Sequence, residues 1–179
     1  MNYLGYFEAV VSGTKDDHKV SLFWPDKVDL IIMRGCPGSF KSTVAKHIQS
    51  HLDNSVICST DDYHMVDGVY KFNRAKLGKF HAKNLENATN FLLNGQTVII
   101  DNTNTTLFEA LGYIKSAKTL NKTFCFVEPV GPGCTDATLL AQRNVHQVPL
   151  DAIKAMLDRW HSKEIIEFGV KCIKEWDKL

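Results

Sequence analysis

Leu30-Ile31-Ile32-Met33-Arg34-Gly35-Cys36-Pro37-Gly38-Ser39-Phe40-Lys41-Ser42-Thr43 is the stretch on which the reading of this chain turns. Four apolar residues read as a buried strand, and a turn rich in glycine and proline follows, ending in Lys41-Ser42-Thr43. This is the pattern of a phosphate-binding loop, in which inward-facing backbone amides surround phosphates. A lysine ammonium meets the β and γ oxygens and a hydroxyl holds Mg²⁺. The candidate nucleotide-binding residues are therefore Gly35, Cys36, Pro37, Gly38, Ser39, Phe40, Lys41, Ser42 and Thr43, with Ser42 the metal ligand and ATP and Mg²⁺ the implied cofactors. Val44-Ala45-Lys46-His47-Ile48 continues as an amphipathic helix, completing strand, loop and helix. Phe40 breaks the pattern, standing where glycine belongs. If that position needs positive φ, the strain is about 1–2 kcal/mol, and nucleotide binding is expected to be weak, altered or lost.

The chain has 179 residues, which suits a single domain with a sizeable core. A net charge of +1 provides no global field for nucleic acid or a membrane, though it is neutral toward an enzyme that grips one strand end. No apolar run is long enough to span a bilayer, and the N-terminus lacks a signal-peptide layout. The five cysteines show no ligand-like pairing and read as free thiols, so the expected location is the cytoplasm. Cys36 has two readings, a tolerated loop position or a thiol made reactive by surrounding amides.

After Gly35, short β-branched runs alternate with longer helical ones, as in a parallel sheet covered by helices. Strands are expected near Asp29–Arg34, Ser55–Ser59, Thr97–Asp101 and Thr123–Glu128. Helices are expected near Lys41–Leu52, Arg74–Leu93, Leu107–Leu120, Asp136–Asn144, Leu150–His161 and Lys163–Lys178. Residues 1–27 are expected to form an extension packed on the core domain of residues 28–179, with an oligomer contact or a partner site as the other readings. Within it Leu4, Phe7, Val10 and Val11 suit a short helix, and Val20–Trp24 alternates like an edge strand.

In open α/β sheets ligands sit beyond the carboxyl ends of the strands. The second core strand ends in Ser59-Thr60-Asp61-Asp62-Tyr63-His64, the third in Asp101-Asn102-Thr103-Asn104. A carboxylate there can accept a proton from an attacking hydroxyl or hold a metal's water shell. The Asp pair can instead be a cap, and Asn102 to Asn104 turn chemistry. Gly131-Pro132-Gly133-Cys134 followed by a helix bearing Gln142-Arg143-Asn144 suggests a hinged lid. Arg143 fits a γ-phosphate contact or a surface salt bridge. His81 and Asn84 share one helix face and suit structural hydrogen bonds.

Taken together, Arg34-Gly35-Cys36-Pro37-Gly38-Ser39, Lys41-Ser42-Thr43, Ser59-Thr60-Asp61-Asp62-Tyr63, Asp101-Asn102-Thr103-Asn104 and Gln142-Arg143-Asn144 resemble the P-loop polynucleotide 5′-hydroxyl kinase family. The resemblance runs from about Asp29 to Trp160. It implies an α/β P-loop kinase fold, with a parallel sheet of about four to five strands sandwiched by helices and a helical lid. It implies transfer of the γ-phosphate of ATP to the 5′-hydroxyl of an RNA or DNA end. Lys41, Asp61 and Arg143 then become catalytic, Asp61 as base and Arg143 as the lid arginine. Asp61, His64 and Asp101 become acceptor-binding. His64 replaces the family's arginine after Asp-Asp-Tyr, a pH-dependent group in place of a permanent cation. A small-molecule kinase acting on nucleosides or sugars, and a degenerate binding module marked by Phe40, are the other readings these residues allow.

Overall fold

The computed structural model describes residues 3–11, 18–25, 28–129 and 133–160, the first two stretches through their backbone. Its centre is β3 (Leu30–Met33), all four residues buried. Complete burial follows from position, because β3 lies inside a four-stranded parallel sheet with β4 (Ser55–Cys58), β7 (Thr97–Ile100) and β8 (Phe124–Val127), ordered β4-β7-β3-β8. Helices cover both faces, so the strands read as continuous apolar runs.

Alternation along β3 divides the core in two. Ile31 and Met33 join Val44, Ala45 and Ile48 of α1 (Lys41–Gln49). Leu30 and Ile32 face Ala88 and Leu92 of α2 (Leu77–Leu93) and Ala110, Tyr113 and Ile114 of α3 (Leu107–Thr119). A third, smaller cluster joins Cys36 to Leu140 of α4 (Ala137–Arg143) and Ile153 of α5 (Leu150–Asp158). α4 and α5 therefore pack directly on the phosphate-loop segment.

Asp29 secures the entry to β3. Its Oδ2 accepts the Thr123 amide and hydroxyl, each at 2.9 Å, and Lys122 approaches Oδ1 at 3.3 Å. Burial works against the charged carboxylate, but these donors together hold Asp29 below the usual carboxylate range.

The four core strands and the first five helices lie where the alternation placed them, each a residue or more shorter at its ends. Asp136 caps α4 through hydrogen bonds to the Thr138 and Leu139 amides. The expected helix at 163–178 and Cys172 lie outside the described residues. The helix expected around Leu4–Val11 is corrected: Tyr3–Val11 is β1, paired antiparallel with β2 (His18–Pro25) in a separate sheet. Tyr3, Tyr6, Phe7, Val10 and Val11 are β-formers, and here they outweigh a weak helical period. β2 confirms the strand at Val20–Trp24, as one arm of this hairpin and not as an edge of the core sheet.

Between β4 and α2 the chain forms a 3₁₀ turn (Thr60–His64), a miniature hairpin of β5 (Met65–Val66) and β6 (Val69–Tyr70), and a second 3₁₀ turn (Arg74–Lys76). Asp67 and Gly68 connect the strands with φ of 52° and 76°. Positive φ at both positions is the two-residue turn that Asp-Gly favours.

Candidate functional site

The crossing order puts β3 between β7 and β8, so the loop after β3 lies at the point where the order reverses. Close packing shapes that loop. A Cβ on Gly35 would stand 2.3 Å from Ser39 Oγ and 2.9 Å from Lys41 Cγ, and one on Gly38 2.3 Å from the Leu140 carbonyl oxygen in α4. Gly38 also has φ of 81°, so any side chain there would be strained as well as crowded.

Phe40 adopts the left-handed conformation that the glycine slot requires, with φ 65° and ψ 16°. It is the N-cap of α1 and supplies no side-chain cap, leaving the first helical amides for another acceptor. Its ring packs against the core cluster of Ile31, Val44 and Ile48. The Arg143 guanidinium lies 5.3 Å from the ring centre, within cation–π range. The departure from glycine thus ties the phosphate loop to Arg143 at the end of α4.

Lys41 is 9 % exposed, and its Nζ donates to the Cys36 carbonyl at 3.1 Å. Burial pushes this ammonium downward, while the charges of Asp101, Cys36 and Asp61 favour its protonation. Asp101 at the tip of β7 is buried, and its Oδ1 has no hydrogen-bond partner among the described residues. Ser39 Oγ and Arg143 Nη1 share that condition. Buried polar atoms are nearly always satisfied, so the Ser39 and Asp101 oxygens beside Lys41 mark a place built for a polar ligand, while Arg143 Nη1 lies by Gly133. Ser42 is exposed at the start of α1, where its hydroxyl is accessible to a metal. Among the described residues no three His, Cys, Asp or Glu side chains gather into a metal cluster. The donor set suits Mg²⁺, which uses one or two protein oxygens together with phosphates and waters.

Cys36 is a packing residue. It is buried against Leu140 and Ile153, and burial raises its thiol, which leaves it unreactive.

The strand-end acids diverge in setting. Asp61 is half-exposed, with Oδ1 accepting from the Tyr70 hydroxyl at 3.0 Å and Oδ2 lying 3.5 Å from His146 Nε2. The Tyr70 and His146 rings are 4.1 Å apart between centres. Burial and the Asp61 charge raise the Tyr70 phenol, so it stays protonated and acts as a donor. Asp62 is raised by burial and then by Asp61 and Asp101, which places the three carboxylates in one electrostatic neighbourhood.

Several polar residues prove structural. Asn102 accepts the Thr60 amide at 3.0 Å and donates to the Tyr113 hydroxyl at 3.1 Å, a hydroxyl that Asn84 also reaches at 2.9 Å. Asn104 donates to the Met33 carbonyl at 2.8 Å, and His81 Nδ1 lies 3.2 Å from Thr60 Oγ1. Arg34 is fully buried between Glu128, the Asn104 carbonyl and the Trp160 ring, where it holds strand ends together.

His64 is 1 % exposed, enclosed by Phe72, Phe80 and Tyr70. Its Nδ1 accepts the Asn73 amide at 3.1 Å, and its Nε2 is buried without a partner among the described residues. Tyr70 and His146 were not anticipated from the sequence. Asp67-Gly68 signalled the hairpin that delivers Tyr70, whereas no local pattern marks His146.

Comparison with known proteins identifies the family. A family model described as an AAA domain matches residues 30–162, and the chain belongs to that family, a P-loop kinase-like one. Human NEDD4-binding protein 2 is 35 % identical over 132 residues, which is 73 % of this chain and 8 % of that protein. This chain therefore spans only a small part of that relative. A structure described as the Pnkp1/Rnl/Hen1 RNA repair complex is 24 % identical with a TM-score of 0.60, covering 74 % of this chain and 43 % of that one. A second, described as the Pnkp1/Rnl/Hen1 complex, is 26 % identical with a TM-score of 0.54, covering 68 % and 41 %. No helix among the described residues is long and apolar enough to cross a membrane.

Proposed function

We propose that this P-loop kinase-like member of the AAA-domain family transfers the γ-phosphate of ATP to the 5′-hydroxyl of a polynucleotide. The observation that supports the reading is Lys41 flanked by the unpartnered buried atoms of Ser39 and Asp101, with Arg143 over the ring of the neighbouring Phe40. The amides of Gly38 and of residues 40–43, at the N-terminus of α1, would hold the phosphates. Ser42, with Asp101 nearby, would hold Mg²⁺, which neutralises charge on the phosphate oxygens.

Lys41 supplies a buried cation to the β and γ oxygens. Arg143, seated on Phe40, places its guanidinium where charge spreads in the transition state. Asp61 takes the proton of the acceptor hydroxyl as the new O–P bond forms and the β–γ bridging P–O bond breaks, releasing ADP. Asp101 and His64 complete the acceptor side. The polynucleotide acceptor draws support from the Asp61-Asp62-Tyr63 and Arg143-Asn144 motifs and from the fold shared with the RNA repair complex.

Phe40 meets the condition for strain with φ of 65°, so the degenerate binding module stands as the alternative that the transfer assay decides against or for. The test is transfer of labelled γ-phosphate from ATP·Mg²⁺ to a 5′-hydroxyl oligonucleotide, with Lys41→Ala as control. Labelled oligonucleotide is expected, and none with the variant. Turnover of nucleosides or sugars with an unlabelled oligonucleotide would overturn the acceptor assignment.

A further inference from the structure

Residues 68–85 carry Lys71, Arg74, Lys76, Lys79 and Lys83 with no aspartate or glutamate, in a chain whose net charge is only +1. The same stretch forms most of a cavity of about 230 Å³ lined by Tyr63, His64, Phe72 and Phe80, with Lys71 and Lys76 at its border. Three aromatic residues enclose His64: the Phe80 ring is edge-on at 4.8 Å, Phe72 lies at 5.0 Å, and Tyr70 at 5.8 Å. Phe72 is 58 % exposed, a large apolar ring that nothing in the fold requires at the surface. Lys83 Nζ sits 5.7 Å above the Tyr63 ring.

We infer that this cavity receives one nucleobase of a single-stranded polynucleotide, next to the end that is phosphorylated. The inference rests on the polynucleotide reading above and names the feature that recognises the strand. Aromatic walls stack on any base, and flanking lysines follow the backbone phosphates, which is how single strands are held. The cavity is smaller than the usual pocket for a whole ligand and sized for one planar ring system.

His64 adds a polar contact. Because Nδ1 accepts the Asn73 amide, the neutral ring carries its proton on Nε2, the buried atom with no partner among the described residues. A neutral donor at an aromatic wall suits a base carbonyl better than a phosphate, which would require a desolvated cation. His64 thereby acquires a different acceptor role from the phosphate clamp that its place in the sequence suggests. Tyr70 links this cavity to the chemistry, with its ring against His64 and its hydroxyl 3.0 Å from Asp61.

The experiment measures binding of a fluorescent 5′-hydroxyl single-stranded oligonucleotide by anisotropy, using the full chain, Phe72→Ala, and the double variant Lys71→Ala/Lys76→Ala. A second oligonucleotide carries abasic sites at its first two positions. ATP affinity of each variant is the folding control, as these exposed residues lie outside the phosphate loop. Phe72→Ala is expected to weaken oligonucleotide binding by roughly 5- to 150-fold, the equivalent of one stacked base. The abasic oligonucleotide is expected to bind the full chain less tightly and to lose the difference between full chain and Phe72→Ala. The lysine variant is expected to flatten the salt dependence. No oligonucleotide binding, or affinity unchanged from that of the full chain with the intact strand both in Phe72→Ala and with the abasic strand, would overturn the cavity assignment. Phosphate transfer that persists with those unchanged affinities would leave the kinase reading standing. Binding through Phe72 without any transfer would overturn that reading and keep the cavity.

Discussion

Replacing Phe40 separates what its backbone costs from what its ring contributes. The residue sits at φ 65°, where an L side chain is strained by about 1–2 kcal/mol. Its partly buried ring recovers about 1 kcal/mol, half of what full burial of a phenylalanine gives. The cation–π contact with Arg143 at 5.3 Å adds about 0.5–1 kcal/mol. Phe40→Ala removes both ring terms and keeps the strain, so it should destabilise by about 2 kcal/mol. Phe40→Gly also removes the ring but relieves the strain, less about 0.5–1 kcal/mol of added chain entropy in the unfolded state. The glycine variant should therefore be more stable than the alanine variant by about 0.5–1 kcal/mol, reversing their order in an ordinary helix. Urea unfolding monitored by circular dichroism resolves this, and each kcal/mol moves Tm by roughly 2–4 °C in a domain of this size. Phosphate transfer should slow by about 2- to 5-fold in both variants with little change in ATP affinity, because the seat of Arg143 is lost. An alanine variant as stable as the glycine variant would refute the left-handed assignment. Unchanged turnover in both would refute the link to Arg143.

Asp61→Asn keeps the shape and removes the proton acceptor; turnover should fall by roughly 10²–10⁴-fold at saturating ATP, with ATP affinity by calorimetry retained. His146→Ala frees one oxygen of Asp61 and should lower the KM for the acceptor more than it changes kcat, as read from initial rates across acceptor concentrations. Asp29 has a folded pKa below that of an ordinary aspartate, so its stabilisation is complete above the unfolded pKa and lost as pH falls through the lower folded one. Asp29→Asn should accordingly cost about 1–2 kcal/mol at pH 7 and much less near pH 2, measured by urea unfolding at both.

What the sequence revealed and what it concealed follow the range of the interactions involved. Leu30–Met33, Val98–Ile100 and Phe124–Val127 are apolar because helices cover both faces of the sheet, so burial writes itself into consecutive residues. Gly35 through Thr43 could be read because one loop supplies nearly all the contacts to phosphate. Tyr70 was hidden for a different reason: it matters only once a two-residue hairpin folds its hydroxyl back to Asp61. His146 meets Asp61 from a segment 85 positions away in the chain, a pairing that no local pattern encodes. The clamp from Asp29 to Thr123 is hidden by the same separation. Phe40 could be seen as an anomaly, but its consequence could not, since the ring's partner Arg143 belongs to the lid.

Under the proposed function, the contacts around Asp61 also bear on how an acceptor would reach it. Both carboxylate oxygens are engaged, Oδ1 by Tyr70 at 3.0 Å and Oδ2 by His146 at 3.5 Å. An incoming hydroxyl needs one of them. Tyr70 belongs to a hairpin whose next residue, Lys71, donates its amide to the His64 carbonyl at 2.8 Å, so moving it would disturb the aromatic cluster around His64. His146 lies in the short connection between α4 and α5, holds Asp61 by the longer contact, and can leave with a small shift of that connection. Phe40 and Gly38 meanwhile keep Arg143 and the carbonyl end of α4 against the phosphate loop. On the proposed reading, exchange of an acceptor hydroxyl for the imidazole at Asp61 Oδ2 would need movement around His146 and would leave Arg143 in place over Phe40.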